Sequence, residues 1–504
     1  MTAKPAIAVT LVLYALALLV LGWWGRRKTR DTTDFFLGGR RLGPLVAAIS
    51  ASASSSSAWT LLSVSGAAYC WGLSAAWLFP ACVGGFALNW FLLAPALQRQ
   101  ARASGALTVT QVLAGPSHRP GSRTISLCAS LIVLFSFTVY VASQFLGAAK
   151  TFASTFGLST DTSLLLGSTV VVLYTMAGGF WAVSLTDTLQ GLLMAAVAIL
   201  LPAAALVAVG GPIELWQAMG RVEEIRDAGR LVGAGPAVFL SPTRALGPAA
   251  LGLVLGLLGI GLGYPGQPHV VNRFMALAGD HRTLEHSRRM AMGWALTVYG
   301  GMLLTGWCGR VLLAPLADQE VVFIALTRHL FPPVMAGVML AAVLSAIMST
   351  ADSQLLVAGS SVTVDLGLAG RRRVLLHSRL VVILLSTMAV GLAHFGSRQI
   401  FAPVLFAWSA LGAAFGPLLL VTALRGPVPP RRTLAAMGAG FVLSVAAYSL
   451  PPFKGGAAER VFPFLVALLI ALGPPGRHWL RRTRTSRILA MEADRSDLHR
   501  RNAQ

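Results

Sequence analysis

The chain has 504 residues, 55% of them hydrophobic and only 12% charged, with a mean hydropathy of +0.71. A soluble domain of that composition would have too little polar surface to stay in solution, which excludes soluble enzymes and soluble binding modules. The formal net charge of +22 would raise nucleic acid as a partner, but the basic residues fall in alternate connections between apolar stretches, which is a membrane-topology pattern instead.

A membrane-crossing helix needs about 20 predominantly apolar residues. Thirteen candidates follow along the chain, at roughly 5–24, 44–70, 74–96, 124–148, 162–180, 189–210, 245–264, 290–314, 333–358, 374–394, 401–423, 433–450 and 458–474. Residues 25–41 carry six Lys and Arg (Arg26, Arg27, Lys28, Arg30, Arg40 and Arg41); 98–123, 265–290 and 366–379 carry four each, 425–432 three, and the tail from Arg477 eight. If thirteen spans alternate, all of these lie on one side. The positive-inside rule makes that side the cytoplasm, with the C-terminus inside and the N-terminus outside. The basic loops then serve topology and contact with anionic lipids. The first apolar stretch is expected to be a retained span, because its "RRKTR" cluster follows the apolar run where a signal peptide would have it precede. Cys70, Cys82, Cys128 and Cys308 are scattered without a CxxC pair and read as core filler. The polar stretches 211–243 and 475–504 are too short for a soluble domain.

Two apolar segments carry breaks. "ISASASSSSAWTLLSVSGAAY" places a run of serines inside the second span, and "GIGLGYPGQPHVV" (259–271) places glycines with Pro265 and Pro268 inside the seventh. Pro265 and Pro268 remove backbone donors and, with Gly261, Gly263 and Gly266, cannot sustain a regular helix. The freed carbonyls must be satisfied by a cavity, an ion or another helix. The breaks lie five spans apart, as expected for two five-span repeats of inverted topology starting near Leu42 and Leu246. Paired interruptions of this kind mark binding sites in secondary transporters.

Carboxylates inside spans are functional candidates, because hydrocarbon tolerates them poorly without a partner. Asp187, in "FWAVSLTDTLQ", is expected at the mouth of the sixth span, and Asp352, in "LSAIMSTADSQLL", inside the ninth. Helical spacing puts Ser345, Ser349, Asp352 and Ser353 near one face, with Ala346 and Thr350 one step around it. Hydroxyls with a single carboxylate suit a dehydrated monovalent cation better than a divalent one. The bland alternative for each serine is a hydroxyl bonded back to its own helix. His281, Glu285 and His286 read as a solvated basic loop, and no GxxxxGK[ST], GxSxG or HExxH motif supports ATP-driven transport or hydrolysis.

"DFFLGGRRLGPLVAAIS" (34–50), "YTMAGGFWAVSLTDTLQ" (174–190), "GLGYPGQPHVVNRFMA" (261–276), "LSAIMSTADSQLLVAGSSVTVDL" (344–366) and "FAWSALGAAFGPLLL" (406–420) resemble motifs of the sodium/solute symporters, most of all the bacterial proline-transporting branch. The resemblance covers nearly the whole chain. It implies an all-α polytopic fold of about 13 transmembrane helices with a LeuT-like 5+5 inverted repeat and two broken helices. It also implies a sodium site from the carbonyls of Ala53, Ser56 and Ala346 with the side chains of Ser349 and Thr350. A second ion site in some relatives matches Asp187, Ser349, Asp352 and Ser353. Solute positions match Ser55, Ser57, Tyr140, Ile260 and Tyr264. In proline symporters the position of Ser55 carries an aspartate and that of Ile260 a tryptophan.

The expected organisation is a first helix and basic loop (1–41), a first five-helix repeat with an external loop (42–240), a second, inverted repeat (241–424), and two final helices with a basic tail (425–504). The expected activity is symport across the bacterial cytoplasmic membrane: sodium entry drives uptake of a small solute, an amino acid such as proline. No enzyme activity, cofactor or nucleic-acid partner is expected. The alternatives are proton coupling through Asp187 or Asp352, and a non-transporting sensor on the same scaffold.

Overall fold

The computed structural model describes residues 3–26, 37–177, 180–227, 230–244, 247–279, 281–367 and 374–473. The "RRKTR" cluster after Arg26, Gly178 and Gly179, the run Arg371 to Arg373 and the basic tail lie outside the described residues. The described residues are almost entirely helical, with one short hairpin among them of β1 (Ile225–Asp227) and β2 (Arg230–Gly233) in the connection 211–243.

The first half contains α1 (Ala3–Arg26), α2 (Pro44–Ser55), α3 (Val64–Trp71), α4 (Leu78–Ala87), α5 (Ala94–Ser104), α6 (Ser122–Phe156), α7 (Thr160–Ala177) and α8 (Phe180–Val209). The second contains α9 (Pro248–Leu258), α10 (Pro268–Ala276), α11 (His281–Leu312), α12 (Pro333–Ser360), α13 (Val374–Phe395) and α14 (Phe401–Arg425), followed by α15 (Pro430–Ser449) and α16 (Phe462–Leu472). Among the described residues, eight helices are long and apolar enough to cross a membrane by length and composition.

Burial separates pillars from rim. Of the most apolar stretches, 94% is buried in α14 and 83% in α12, against 28% in α1 and 33% in α8 and α13, whose outer faces carry exposed Leu and Val. The candidate ion face of α12 therefore lies at the centre of the bundle.

Two helices change course where the sequence loses helix formers. α2 begins on Pro44 at its first turn and stops at Ser55; Ser56 is extended (φ −117, ψ 99), and the chain resumes helical geometry at Ala58 through a π-turn, Trp59–Ser63. After α9 the chain tightens into a 3₁₀ turn, Gly259–Gly266; Gln267 is extended (φ −88, ψ 100), and α10 restarts on Pro268. Close approach explains the glycines: a Cβ at Gly266 would collide with the Leu411 carbonyl of α14, and one at Gly261 with the Ala81 carbonyl of α4. At the opposite ends of α2 and α10 the chain is tied by a parallel bridge, in which Leu42 N donates to Ala276 O (3.2 Å) and Ala278 N donates to Leu42 O (3.1 Å).

Three expectations need correction. α8 starts at Phe180 instead of near residue 189, so Asp187 sits inside the helix and fully buried rather than at a mouth. Thr186, Asp187 and Thr188 of its polar stretch hydrogen-bond within the protein, and a hydropathy reading truncates a helix at such a stretch. α11 starts at His281, which puts His281, Glu285 and His286 on its first turns and not in a loop; Glu285 pairs there with Arg289. Arg273 belongs to no loop: it is a fully buried residue of α10.

Candidate functional site

The first group of polar contacts lies where α12 crosses the end of α2. Ser349 Oγ stands 3.2 Å from Ala53 O and 3.4 Å from Ala346 O, and Thr350 Oγ1 donates to Ser54 O (3.1 Å). Ala53, Ala346 and Ser349 thus come together, with Thr350 one carbonyl away; the Ala53 carbonyl also accepts from Ser56 N at 3.0 Å. Ser56 Oγ is buried and makes no hydrogen bond. All of these residues are buried. A hydroxyl oxygen that rotates its hydrogen aside presents a lone pair, so carbonyls and hydroxyls at this crossing can turn toward a small monovalent cation.

The second group surrounds Asp187. Its Oδ2 accepts from Ser50 Oγ (3.1 Å), Ser54 Oγ (3.0 Å) and Arg273 Nη2 (2.5 Å). Arg273 reaches further: Nε donates to Ser50 Oγ (2.6 Å), Nη2 to Ser353 Oγ (2.7 Å) and Nη1 to the His269 carbonyl. Ser353 Oγ lies 3.3 Å from Asp352 Oδ1 and 3.5 Å from Asp187 Oδ2. The predicted Asp187, Asp352 and Ser353 are therefore one cluster, and Ser349 belongs to the first group. Ser345 points elsewhere, to Tyr14 of α1 at 2.5 Å. Two carboxylates face one guanidinium. Asp187 Oδ1 and Asp352 Oδ2 are buried without a hydrogen bond, as are both ends of Gln190.

The third group fills the space between the two interruptions. Tyr264 Oη and Tyr299 Oη are 2.6 Å apart, and the Tyr264 ring meets the Trp408 ring edge-on at 4.6 Å. Tyr140 lies near the same tryptophan (6.5 Å) and near His269 (6.1 Å). Ser55 lines a small space with Phe86, Asn89, Trp90 and Tyr264, although its hydroxyl donates to its own helix at Ser52 O (2.8 Å). Ser57 Oγ accepts from Trp59 N (3.1 Å) and so caps the restarting helix. Ile260 is buried in the 3₁₀ turn. Around these residues the polar atoms are strikingly unpaired in number: Tyr140 Oη, Trp408 Nε1, Trp59 Nε1, Gln267 Oε1 and both ring nitrogens of His269 make no hydrogen bond. Buried polar atoms are normally satisfied, so a concentration of exceptions singles these residues out as a candidate site.

Sequence reasoning missed Arg273, His269, Tyr299 and Trp408. Arg273 left a trace, an arginine inside the helix that follows the second break. Among the described residues no group of three or more His, Cys, Asp or Glu could hold a metal ion.

A helical membrane bundle with two interrupted helices meeting over a buried polar cluster defines a secondary transporter in class. The model of the sodium:solute symporter family matches residues 35–426. A sodium/proline symporter of Salmonella typhimurium is 35% identical over 88% of this chain and 88% of its own, and a high-affinity proline transporter of Bacillus subtilis 36% identical over 90% and 96%. The solved structure of a Na+-coupled sialic acid symporter in a substrate-bound outward-open state shares the fold, with a TM-score of 0.72 at 18% identity over 92% of this chain and 96% of its own. The chain belongs to the sodium:solute symporter family. It is a multi-pass membrane protein that couples sodium to solute transport, and its relatives are transporters, not enzymes.

Proposed function

We propose that this chain takes up proline or a closely similar small amino acid across the bacterial cytoplasmic membrane, driven by sodium entry. The supporting observation is the crossing of α2 and α12, where Ser349 Oγ meets Ala53 O and Ala346 O beside the Thr350 hydroxyl. In this reading Ala53, Ser56, Ala346, Ser349 and Thr350 hold the sodium ion. It bridges the interrupted helix to the central pillar and favours the arrangement that admits solute, which is reciprocal coupling between two sites. The solute occupies the space among Ser55, Ser57, Tyr140, Ile260 and Tyr264, whose unpaired neighbours offer both donors and acceptors to a zwitterion. The names of the relatives support proline; Ser55 and Ile260 leave room for a related solute.

The architecture that goes with this function has thirteen spans, a 5+5 inverted repeat whose first helices are the two interrupted ones, the N-terminus outside and the C-terminus inside, with the basic connections against anionic lipid and no nucleic-acid partner.

One observation favours a second coupling ion. Asp187 pairs with Arg273, Asp352 reaches that guanidinium only through Ser353, and Asp187 Oδ1 and Asp352 Oδ2 are unpaired. That residual negative charge fits a further sodium at Asp187, Asp352 and Ser353, or a proton. Purified protein in liposomes tests both readings with radiolabelled proline under imposed ion gradients. Accumulation driven by sodium supports the sodium reading. Uptake that ignores sodium and collapses with a protonophore replaces it with proton coupling, and no accumulation of proline under either gradient sinks proline symport.

A further inference from the structure

A cavity of about 640 Å³ opens where the ends of α5, α6, α12 and α14 meet, and it shares no residue with the ion groups or the solute space. The membrane-crossing stretches of α6, α12 and α14 stop at this level, at Ser122, Asp365 and Arg425, which puts the cavity at the membrane surface. Local sequence signals shape it. Gly105 (φ 74) ends α5, a short helix, Val109–Ala114, starts on a Thr108 cap, and Gly115 (φ 72) turns the chain toward Arg119. A Cβ at Gly115 would stand 3.2 Å from Arg119 Nη1, so a glycine lets the arginine cross there.

The cavity holds one acid and one base. Asp365 ends the π-turn Ser361–Asp365 that follows α12; its Oδ1 accepts from Thr108 Oγ1 (2.5 Å), and the Thr110 hydroxyl also bonds the carboxylate. Arg119 Nη2 donates to the Val428 carbonyl (2.8 Å), which uses only part of its donor fork. Both side chains line the cavity, yet they form no ion pair with each other or, among the described residues, with any other charge. A third wall residue, Gln100, is fixed by its Nε2 on the Thr422 carbonyl (3.1 Å), and its Oε1 is buried without a hydrogen bond. A simple cation here would face the guanidinium, and a simple anion the carboxylate. A net-neutral ligand with separated charges satisfies both ends and the spare amide oxygen, and the volume is that of a small-molecule site.

We propose that this cavity is a binding site for a zwitterion, which places its ammonium against Asp365 and Gln100 Oε1 and its anionic end against Arg119. Two sources supply that chemistry at a membrane surface: a free amino acid, and the head of an ethanolamine phospholipid, whose anion is a phosphate. That the cavity faces the cytoplasm rests on the orientation proposed above; the binding itself does not.

The test counts ligands on the purified full-length protein in two arms. In one, radiolabelled proline is bound at equilibrium without sodium; in the other, protein from vesicles of equal phosphatidylethanolamine and phosphatidylglycerol is gently solubilised and its retained lipids are counted by native mass spectrometry. At least one arm is expected to give one ligand per chain, and in the lipid arm the ethanolamine lipid is the one retained. Asp365→Asn, which keeps the acceptor for Thr108, and Arg119→Gln should each weaken that binding about tenfold or more, one charge-assisted hydrogen bond. Asp365→Glu and Arg119→Lys should keep most of it, and the chamber variant Tyr140→Phe all of it. The proposal is overturned if neither ligand binds, if phosphatidylglycerol is retained equally, or if only one of the two neutral variants matters. Equal loss in the charge-keeping variants, or loss in Tyr140→Phe, overturns it as well. Sodium-driven uptake stands or falls on its own assay, since these counts are made without a sodium gradient.

Discussion

Two neighbouring regions of the core are built on opposite principles. Around Asp187 and Arg273 one carboxylate oxygen and the guanidinium are fully engaged: three hydroxyls, a guanidinium and a backbone carbonyl interlock across α2, α8, α10 and α12, with Asp187 Oδ1 and Asp352 Oδ2 left over. Around Tyr140, Trp408 and His269 the polar atoms are buried and unpaired. Satisfied buried networks rigidify, whereas unsatisfied ones carry a free-energy cost that an occupant can relieve. The contrast teaches a division of labour: a joint that ties the interrupted helices to the pillar, beside the proposed solute chamber, whose polar groups are unpaired.

The contrast is broken most severely by removing the joint's cation. Arg273→Met leaves Asp187 and Asp352 buried and uncompensated, which costs about 3–5 kcal/mol. Thermal unfolding of the purified protein should drop sharply, and transport per molecule should be lost. Adding Asp187→Asn to that variant removes one of the stranded charges and should recover part of the thermal stability but not the transport.

Thr350→Ala removes a hydroxyl at the proposed sodium crossing, worth ~1–3 kcal/mol. The sodium half-saturation of uptake should rise about five- to hundredfold. An unchanged value takes Thr350 out of the ion site. Gly266→Ala probes the close approach of the second interruption to α14, where the added methyl meets the Leu411 carbonyl. Overpacking of this kind costs about 1–3 kcal/mol and should lower the unfolding temperature.

The smallest effect on stability belongs to the chamber. Tyr140→Phe removes a buried hydroxyl that makes no hydrogen bond, so unfolding should be unchanged or slightly later. Solute half-saturation should nevertheless rise about five- to tenfold, one neutral hydrogen bond. A stability loss with unaltered solute affinity would assign this hydroxyl to the joint instead of the chamber.

Much of this was legible before any coordinates. Proline and glycine at 259–268 and the serine run at 50–57 advertise loss of helix locally, and the hydroxyls of Ser349 and Thr350 follow helical spacing. What sequence reading misplaced depended on partners distant along the chain. Arg273 reads as a loop cation until Asp187, from another helix, is set beside it; Asp187 reads as a helix mouth because the polar residues around it depress hydropathy. Glu320 sits in a short connection where a carboxylate is ordinarily solvated, and only the fold brings Lys150 and the α14 amides to it. Ser55 and Ser57 lie beside the first interruption, and their hydroxyls serve their own backbone.

The central claim is that ion and solute bind neighbouring sites that help one another through α2. Calorimetry on the purified protein tests it directly, by measuring the Kd for proline with and without sodium and the Kd for sodium with and without proline. The account predicts that each ligand tightens the other by the same factor, about five- to 150-fold, and that Thr350→Ala brings the factor toward one. Proline affinity that is indifferent to sodium would contradict it.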